Sequence, residues 1–203
     1  TGKPKEYYDL LSTMIQDWRN KWQQPDMPFL IVQLTNFMEP KKQPLESNWA
    51  ELRNQQRKIT ETIPNTGLAV TIDIGEWNDI HPLNKKEVGD RLALQADKLA
   101  YNPKVIADGP LYESMKIEGN KIILSFKKGT ADFQSVDELK EFAIEDQNGK
   151  YHWAKAKING NTIEVWNDEI TNPISVRYAW ADNPENANLK NKSGLPASPF
   201  TTK

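Results

Sequence analysis

Apolar side chains recur at three- and four-residue spacing from Glu6 to Trp22, where Tyr7, Leu11, Met14, Ile15, Trp18 and Trp22 fall on one stripe. That period predicts an amphipathic helix with the stripe set against a core. The pattern then changes. "PFLIVQLT", Pro28 to Thr35, is a short apolar run with Ile and Val, bounded by proline, and it predicts a buried strand. Ser47 is placed to cap a second helix whose inner face reads Trp49, Leu52, Gln56, Ile59 and Ile63, before Pro64 and Gly67 end it. "LAVTIDIG", Leu68 to Gly75, repeats the strand pattern. Asn84, with Glu87 three positions on, has the spacing of a capping box and opens a third helix through Val88, Leu92, Ala96 and Leu99 to about Tyr101. Helix and strand alternating in this order predict parallel strands joined by helices.

Beyond Asn102 the period shortens to two. "KIEGNKIILSF" turns around Gly119 and Asn120, "EDQNGKYHW" around Asn148 and Gly149, and "KINGNTIEVW" around Asn159 and Gly160. Such pairs between alternating runs mark β-hairpins. Regular strand and turn spacing to about Trp180 predicts an all-β sandwich or small barrel. The closing "ADNPENANLKNKSGLPASPFTTK" has no period, which suits a free tail, yet Leu189, Leu195, Pro196 and Phe200 equip it equally to lie extended over another surface. The expected organisation is α/β plus all-β: an α/β part over residues 1–102, a β-sandwich over 103–181, and an extended C-terminal tail over 182–203 packed on both.

Two parallel strands and three helices leave sheet edges unpaired and cannot bury both sheet faces. The chain also opens "TGKPKEYYDLL", without methionine, and enters the helical pattern almost at once. Residues 1–102 are therefore expected to be part of a larger doubly wound parallel sheet domain.

Composition narrows the function classes. With 37% hydrophobic residues and seven tryptophans among 203, there is material for a core. No apolar run approaches the roughly 20 residues of a membrane span. Twenty-six basic and 28 acidic residues are interspersed to a net charge of −2, which gives no footprint for nucleic acid or an anionic membrane. The absence of cysteine excludes disulfides, thiolate catalysis and cysteine-based zinc sites. The two histidines, His81 and His152, are far apart and no EF-hand loop occurs, so neither a metal nor a cofactor is expected.

In open parallel sheets, catalytic groups gather beyond the carboxyl ends of the strands. His81 lies there, after the strand ending at Gly75 and before the third helix, with Pro82 stiffening the backbone behind it. Asp73, Glu76 and Asp79 lie within eight residues upstream, so a carboxylate is at hand to fix the imidazole tautomer and stabilise the imidazolium. The plain alternative is a loop imidazole bonded to backbone. Trp77 is placed to stack on a sugar ring or to pack structurally. His152 alternates with Ala154, Ala156 and Ile158 and reads as a sheet residue. No Gly-x-Ser-x-Gly elbow occurs, and no serine falls on a strand-to-helix turn of the α/β part, so a nucleophile for His81 must come from elsewhere.

The blocks "LSTMIQDWRNKW", "PFLIVQL", "NWAELRNQQ", "LAVTIDIGEWNDIHPLNK", "GPLYESMKIEGNKIILSF", "VRYAWADNP" and "NLKNKSGLPASPF" resemble, in order, successive blocks of the sialate O-acetylesterases. That family is similar to SGNH (GDSL-like) hydrolases with an appended β-sandwich, so the resemblance implies that residues 1–102 are the C-terminal part of a flavodoxin-like SGNH hydrolase domain. The resemblance implies a serine carboxylic ester hydrolase acting on O-acetylated carbohydrate, in an exported bacterial setting, secreted or periplasmic. It also implies a nucleophile in a Gly-Gln-Ser-Asn block and oxyanion donors in a Gly-Glu-Ser-Asn block, neither of which occurs here. The chain is thus expected to be inactive alone and to need the N-terminal part of the same enzyme as partner. The catalytic histidine carries over to His81. Many SGNH enzymes place aspartate three residues ahead of it, but Asn78 stands there. Asp79 is the partner chosen, Asp73 the rival, and a Ser-His dyad supported by a backbone carbonyl a third arrangement. Two other readings stand beside this one: an acetylxylan esterase of the same fold, and a non-catalytic carbohydrate-binding module built on Trp153, Trp166 and Trp180.

Overall fold

The structure, a computed structural model, describes residues 2–203. A single 3₁₀ turn, Pro4–Glu6, leads into helix α1 (Tyr7–Lys21), followed by strand β1 (Phe29–Val32), helix α2 (Asn48–Thr62), strand β2 (Thr66–Ala69) and helix α3 (Lys85–Ala100). The two strands pair in parallel, with Phe29 opposite Thr66 and Val32 opposite Ala69. Both expected caps form: the Ser47 hydroxyl accepts the Ala50 N–H at 2.9 Å, and the Asn84 carbonyl accepts the Glu87 N–H at 3.2 Å. Helices α1 and α2 cover one sheet face, where Ile15, Ile31, Ile59 and Leu68 form a small core. Helix α3 covers the other, so close that a side chain on Gly67 would meet Gln95 and Leu30.

Three features depart from the sequence reading. Strand β1 is not buried on both faces, because Leu30 and Val32, which share the α3 face, are 37% and 43% exposed. Along α1 only the Ile15 end of the stripe is buried, while Trp18 and Trp22 stack on each other in solvent, 44% and 61% exposed. On α3 the stripe of Val88, Leu92, Ala96 and Leu99 is only half-buried, and the side chains that enter the interior are Arg91 and Gln95. These two have a definite task. The outward carbonyls of β2 need partners: Gln95 donates to Leu68 at 3.1 Å and Arg91 to Val70 at 2.5 Å, which closes that sheet edge. On the other edge no strand pairs with β1 among the described residues, although the Gln56 side chain bonds the Leu34 N–H at 3.0 Å.

The remaining strands are antiparallel: β3 (Tyr112–Glu118), β4 (Lys121–Phe126), β5 (Phe142–Glu145), β6 (Tyr151–Trp153), β7 (Lys155–Asn159), β8 (Thr162–Trp166), β9 (Val176–Tyr178) and β10 (Phe200–Thr201). They form two four-stranded sheets, ordered β3-β4-β8-β7 and β10-β9-β5-β6. Ile122, Leu124, Ile163 and Val165 of the first sheet share one buried core with Phe142, Ile144, Val176, Tyr178 and Phe200 of the second. The three expected turns join β3 to β4, β5 to β6 and β7 to β8. Residues 151–159 are not one strand, however. The chain breaks at Ala154 and crosses from one sheet to the other.

The closing stretch is ordered against both parts. Leu189, Leu195, Ala197 and Phe200 are buried, and Phe200 lies stacked on Tyr112 at 4.7 Å. The burial of Tyr178 pushes its phenol pKa up, and its oxygen accepts the Leu189 N–H at 2.9 Å. Arg53 joins the parts. Fully buried, it donates to the carbonyls of Leu34 at 2.8 Å and Thr35 at 2.5 Å on one side, and of Ala181 at 2.7 Å and Asp182 at 2.9 Å on the other. Burial pushes its pKa down to about 9 against the pull of Asp182, which leaves it cationic at neutral pH. Gln33 adds a bond from its side-chain amide to Ser198 Oγ at 2.8 Å.

Candidate active site

Where β2 ends, side chains take over from the ladder. The Thr71 hydroxyl donates to the Gln33 carbonyl at 2.6 Å, and the Thr35 hydroxyl donates to the Thr71 carbonyl at 3.1 Å. The chain then turns sharply, and Gly75 sits where its N–H reaches Asn36 Oδ1 at 2.7 Å. A Cβ at residue 75 would stand 2.0 Å from Thr35 Oγ1 and 2.5 Å from the Asn36 carbonyl oxygen, so only glycine fits. Glu76 and Asp79 bridge across a tight turn, and Asp79 Oδ1 accepts the His81 N–H at 2.8 Å. The same oxygen lies 3.4 Å from His81 Nδ1. That is beyond ordinary hydrogen-bond length, so Asp79 flanks the ring while its bond goes to the His81 backbone. The His81 side chain is 83% exposed and its Nε2 side is unencumbered. No serine among the described residues hydrogen-bonds to it.

Asp73 is otherwise engaged. Its carboxylate takes Arg91 Nη1 at 2.6 Å and Lys190 Nζ at 2.7 Å, and its side chain is 11% exposed. Burial by itself would push this carboxyl up, but hydrogen bonds from Arg91 and Lys190, with their charges, outweigh it and hold the group below its ordinary range. A carboxylate committed to two cations at the base of the loop is unavailable to orient an imidazole. Because its folded-state pKa is depressed, Asp73 contributes stability that is complete above the unfolded carboxylate value of about 3.9 and is lost as pH falls through the folded one. Asp73→Asn is therefore expected to lower stability near pH 7 and to flatten its decline below about pH 4, as read from urea midpoints across pH.

Trp77 is 53% exposed, and its backbone carbonyl is held by the Met38 N–H at 2.8 Å. The residue borders an open cleft of about 390 Å³ shared with Glu76, Asn78 and Glu185. A more enclosed cavity, about 90 Å³, lies elsewhere along the closed edge of β2. Its charged lining is already paired, Arg57 with Glu61 and Lys98 with Asp108, and it offers no general base. His152 is remote: its Nε2 bonds Asp146 Oδ2 at 2.8 Å beside the β5–β6 turn. The three tryptophans offered as a sugar platform are each engaged differently. Trp180 is buried, Trp166 lies under Lys121 Nζ at 5.3 Å, and Trp153 is tied by its indole N–H to the Lys42 carbonyl at 2.9 Å. Among the described residues no group of three or more acidic or histidine side chains converges as metal ligands, and no helix is long and apolar enough to cross a membrane.

The sequence reading missed Asn36 and Asn183. Asn36 Nδ2 donates to Asn183 Oδ1 at 3.0 Å, and Asn183 Nδ2 donates to the Met38 carbonyl at 2.8 Å, so the closing stretch is clasped to the loop after β1, whose Asn36 in turn holds Gly75. No local signal marks such a pair, which lies 147 residues apart.

No family model matches the chain. It is 27% identical to the mouse sialate O-acetylesterase over 96% of its own length and 40% of that protein, and 26% identical to the human sialate O-acetylesterase over 92% and 40%. It superimposes with a TM-score of 0.91, at 39% identity, on the crystal structure of a carbohydrate acetylesterase from Xanthomonas citri, covering 98% of this chain and 46% of that one. The chain thus spans about two-fifths of the length of the curated relatives it matches.

Proposed function

We propose that this chain, a relative of the sialate O-acetylesterase family, supplies the general base of a carbohydrate O-acetylesterase whose serine nucleophile comes from other polypeptide. The observation that carries the proposal is the pairing of His81 with Asp79 on a pinned loop beyond a parallel strand, with the outer imidazole nitrogen open. In this reading the β strands are a β-sandwich appended to the end of a doubly wound SGNH-type sheet domain. The serine hydroxyl gives its proton to His81 and attacks the acetyl carbonyl, and fixed donors hold the oxyanion. His81 then returns the proton to the departing sugar hydroxyl. A water deprotonated by the same nitrogen releases acetate. Asp79 holds the imidazole tautomer and stabilises its charged form. Trp77 offers a stacking face to the sugar. Export from the bacterial cell belongs to the same reading.

The surface left open by these residues supports a missing neighbour. Leu30 and Val32 on one sheet face and the half-buried stripe of α3 beside them form apolar surface that a further helix and strand would cover. Acetate release from O-acetylated sugars is expected of the enzyme that joins this chain to the serine-bearing part, and none of the chain alone. Val32→Asp should then cost the isolated chain about 1 kcal/mol or less, as for an exposed position. In the joined enzyme it should cost about 2–4 kcal/mol, as for a buried one, together with most of the activity. Equal costs in both, by urea denaturation, would overturn the reading.

A further inference from the structure

Asn36 and Asn183 form the support beneath the loop that carries His81. Their amide orientations are settled by the backbone groups at each end. The Gly75 N–H can only donate, so it faces Asn36 Oδ1, at 2.7 Å. The Met38 carbonyl can only accept, so it faces Asn183 Nδ2, at 2.8 Å. The remaining amide nitrogen of Asn36 and oxygen of Asn183 then meet in the one arrangement that satisfies both, at 3.0 Å. Both residues are buried, 6% and 4% exposed, so neither bond is shared with bulk water.

The chain of bonds continues to the imidazole. Met38, held at a φ of 75°, donates its N–H to the Trp77 carbonyl at 2.8 Å. Gly75 and Trp77 are thereby fixed on either side of Glu76, which bridges to Asp79. Asp79 in turn holds the His81 backbone N–H and flanks the ring. The loop itself is exposed, and its apolar members give it little anchoring: Trp77 and Ile80 are 53% and 40% exposed. Its placement rests on polar bonds to the loop after β1 and to the closing stretch.

We propose that Asn36 and Asn183 are positioning residues for His81, so that the segment following the β strands sets the geometry of the base. This rests on the reading of His81 as that base. A displacement of about 1 Å in a catalytic group costs on the order of 100-fold in rate. Loosening the loop acts on the chemical step, and an acetyl ester that carries no sugar separates that effect from any movement of Trp77.

The test uses the serine-bearing enzyme, with kcat and KM for an uncharged acetyl ester, 4-nitrophenyl acetate, measured at 25 °C. Active sites are counted by titration with a serine-directed phosphonate, so unfolded protein does not enter the rate. Asn183→Ala is expected to lower kcat at least 10-fold with KM within twofold. Asn183→Asp keeps the oxygen that faces Asn36 but sets an acceptor oxygen against the Met38 carbonyl in place of the donor, so kcat per titrated site should fall at least threefold. It decides the matter if the alanine variant does not fold. A purely structural role would lower Tm and leave kcat per titrated site unchanged, and that result overturns the inference. If His81→Ala itself leaves acetate release intact, the reading of the base has failed instead.

Discussion

Replacing His81 by alanine in the serine-bearing enzyme is expected to lower kcat/KM for acetate release by about 10⁴-fold or more, with Tm within about 2 °C of the parent. The two halves of this expectation come from separate observations. The rate falls because the serine loses the acceptor of its proton and the leaving sugar its donor. The stability holds because the ring is 83% exposed, and its single contact is the 3.4 Å approach to Asp79. Exposed positions without further partners move stability by about 0.5 kcal/mol at most. Asp79→Asn is expected to retain more activity than His81→Ala, since it removes charge stabilisation and leaves the base in place. Steady-state kinetics with released acetate quantified, beside thermal unfolding of both variants, checks the pair. A large fall in Tm would mean that His81 is a structural residue.

The second large effect is on stability. Arg53→Met is expected to cost about 3–5 kcal/mol, the range for removing one side of a buried charged interaction. The guanidinium bonds four carbonyls, and a thioether of similar volume satisfies none of them. Thr35 keeps the Trp49 indole N–H and Asp182 the Phe37 N–H, so Leu34 and Ala181 are the two that lose their donor. Each carbonyl left unpaired out of reach of water costs about 1–3 kcal/mol. Arg53→Lys should recover little, because a single ammonium cannot span Leu34 and Thr35 on one side and Ala181 and Asp182 on the other. The measurement is the denaturant midpoint at constant slope. A change below about 1 kcal/mol would mean that the carbonyls find other donors.

What could be read from the chain and what could not divide along a physical line. Ser47 and Asn84 were legible as caps because a cap needs only a side chain and an amide three residues on. The turns at Gly119, Asn148 and Asn159 were legible for the same reason. Arg53, Arg91 and Gln95 were not, because each enters the interior to meet carbonyls that local periodicity does not reveal. The stripes of α1 and α3 were read correctly as stripes, but spacing does not tell how much of a stripe is covered, and Trp18, Trp22 and Leu92 are open or half-open among the described residues. In the site, the position of His81 beyond a strand was legible from order alone. The engagement of Asp73 by Arg91 and Lys190 was not legible, because Lys190 lies 117 residues from Asp73.

Gln33 meets Ser198 across 165 residues, and Arg53 waits for carbonyls that lie more than 120 residues downstream. During synthesis, α2 therefore leaves the ribosome with Arg53 able to reach only the Leu34 and Thr35 carbonyls, and its other two partners exist only once Ala181 and Asp182 have been made. Contacts of such long range form late and slowly. The helical portion is expected to mature late, and a chain stopped just after Tyr178, which lacks these partners, should yield a product that chaperones retain and proteases remove.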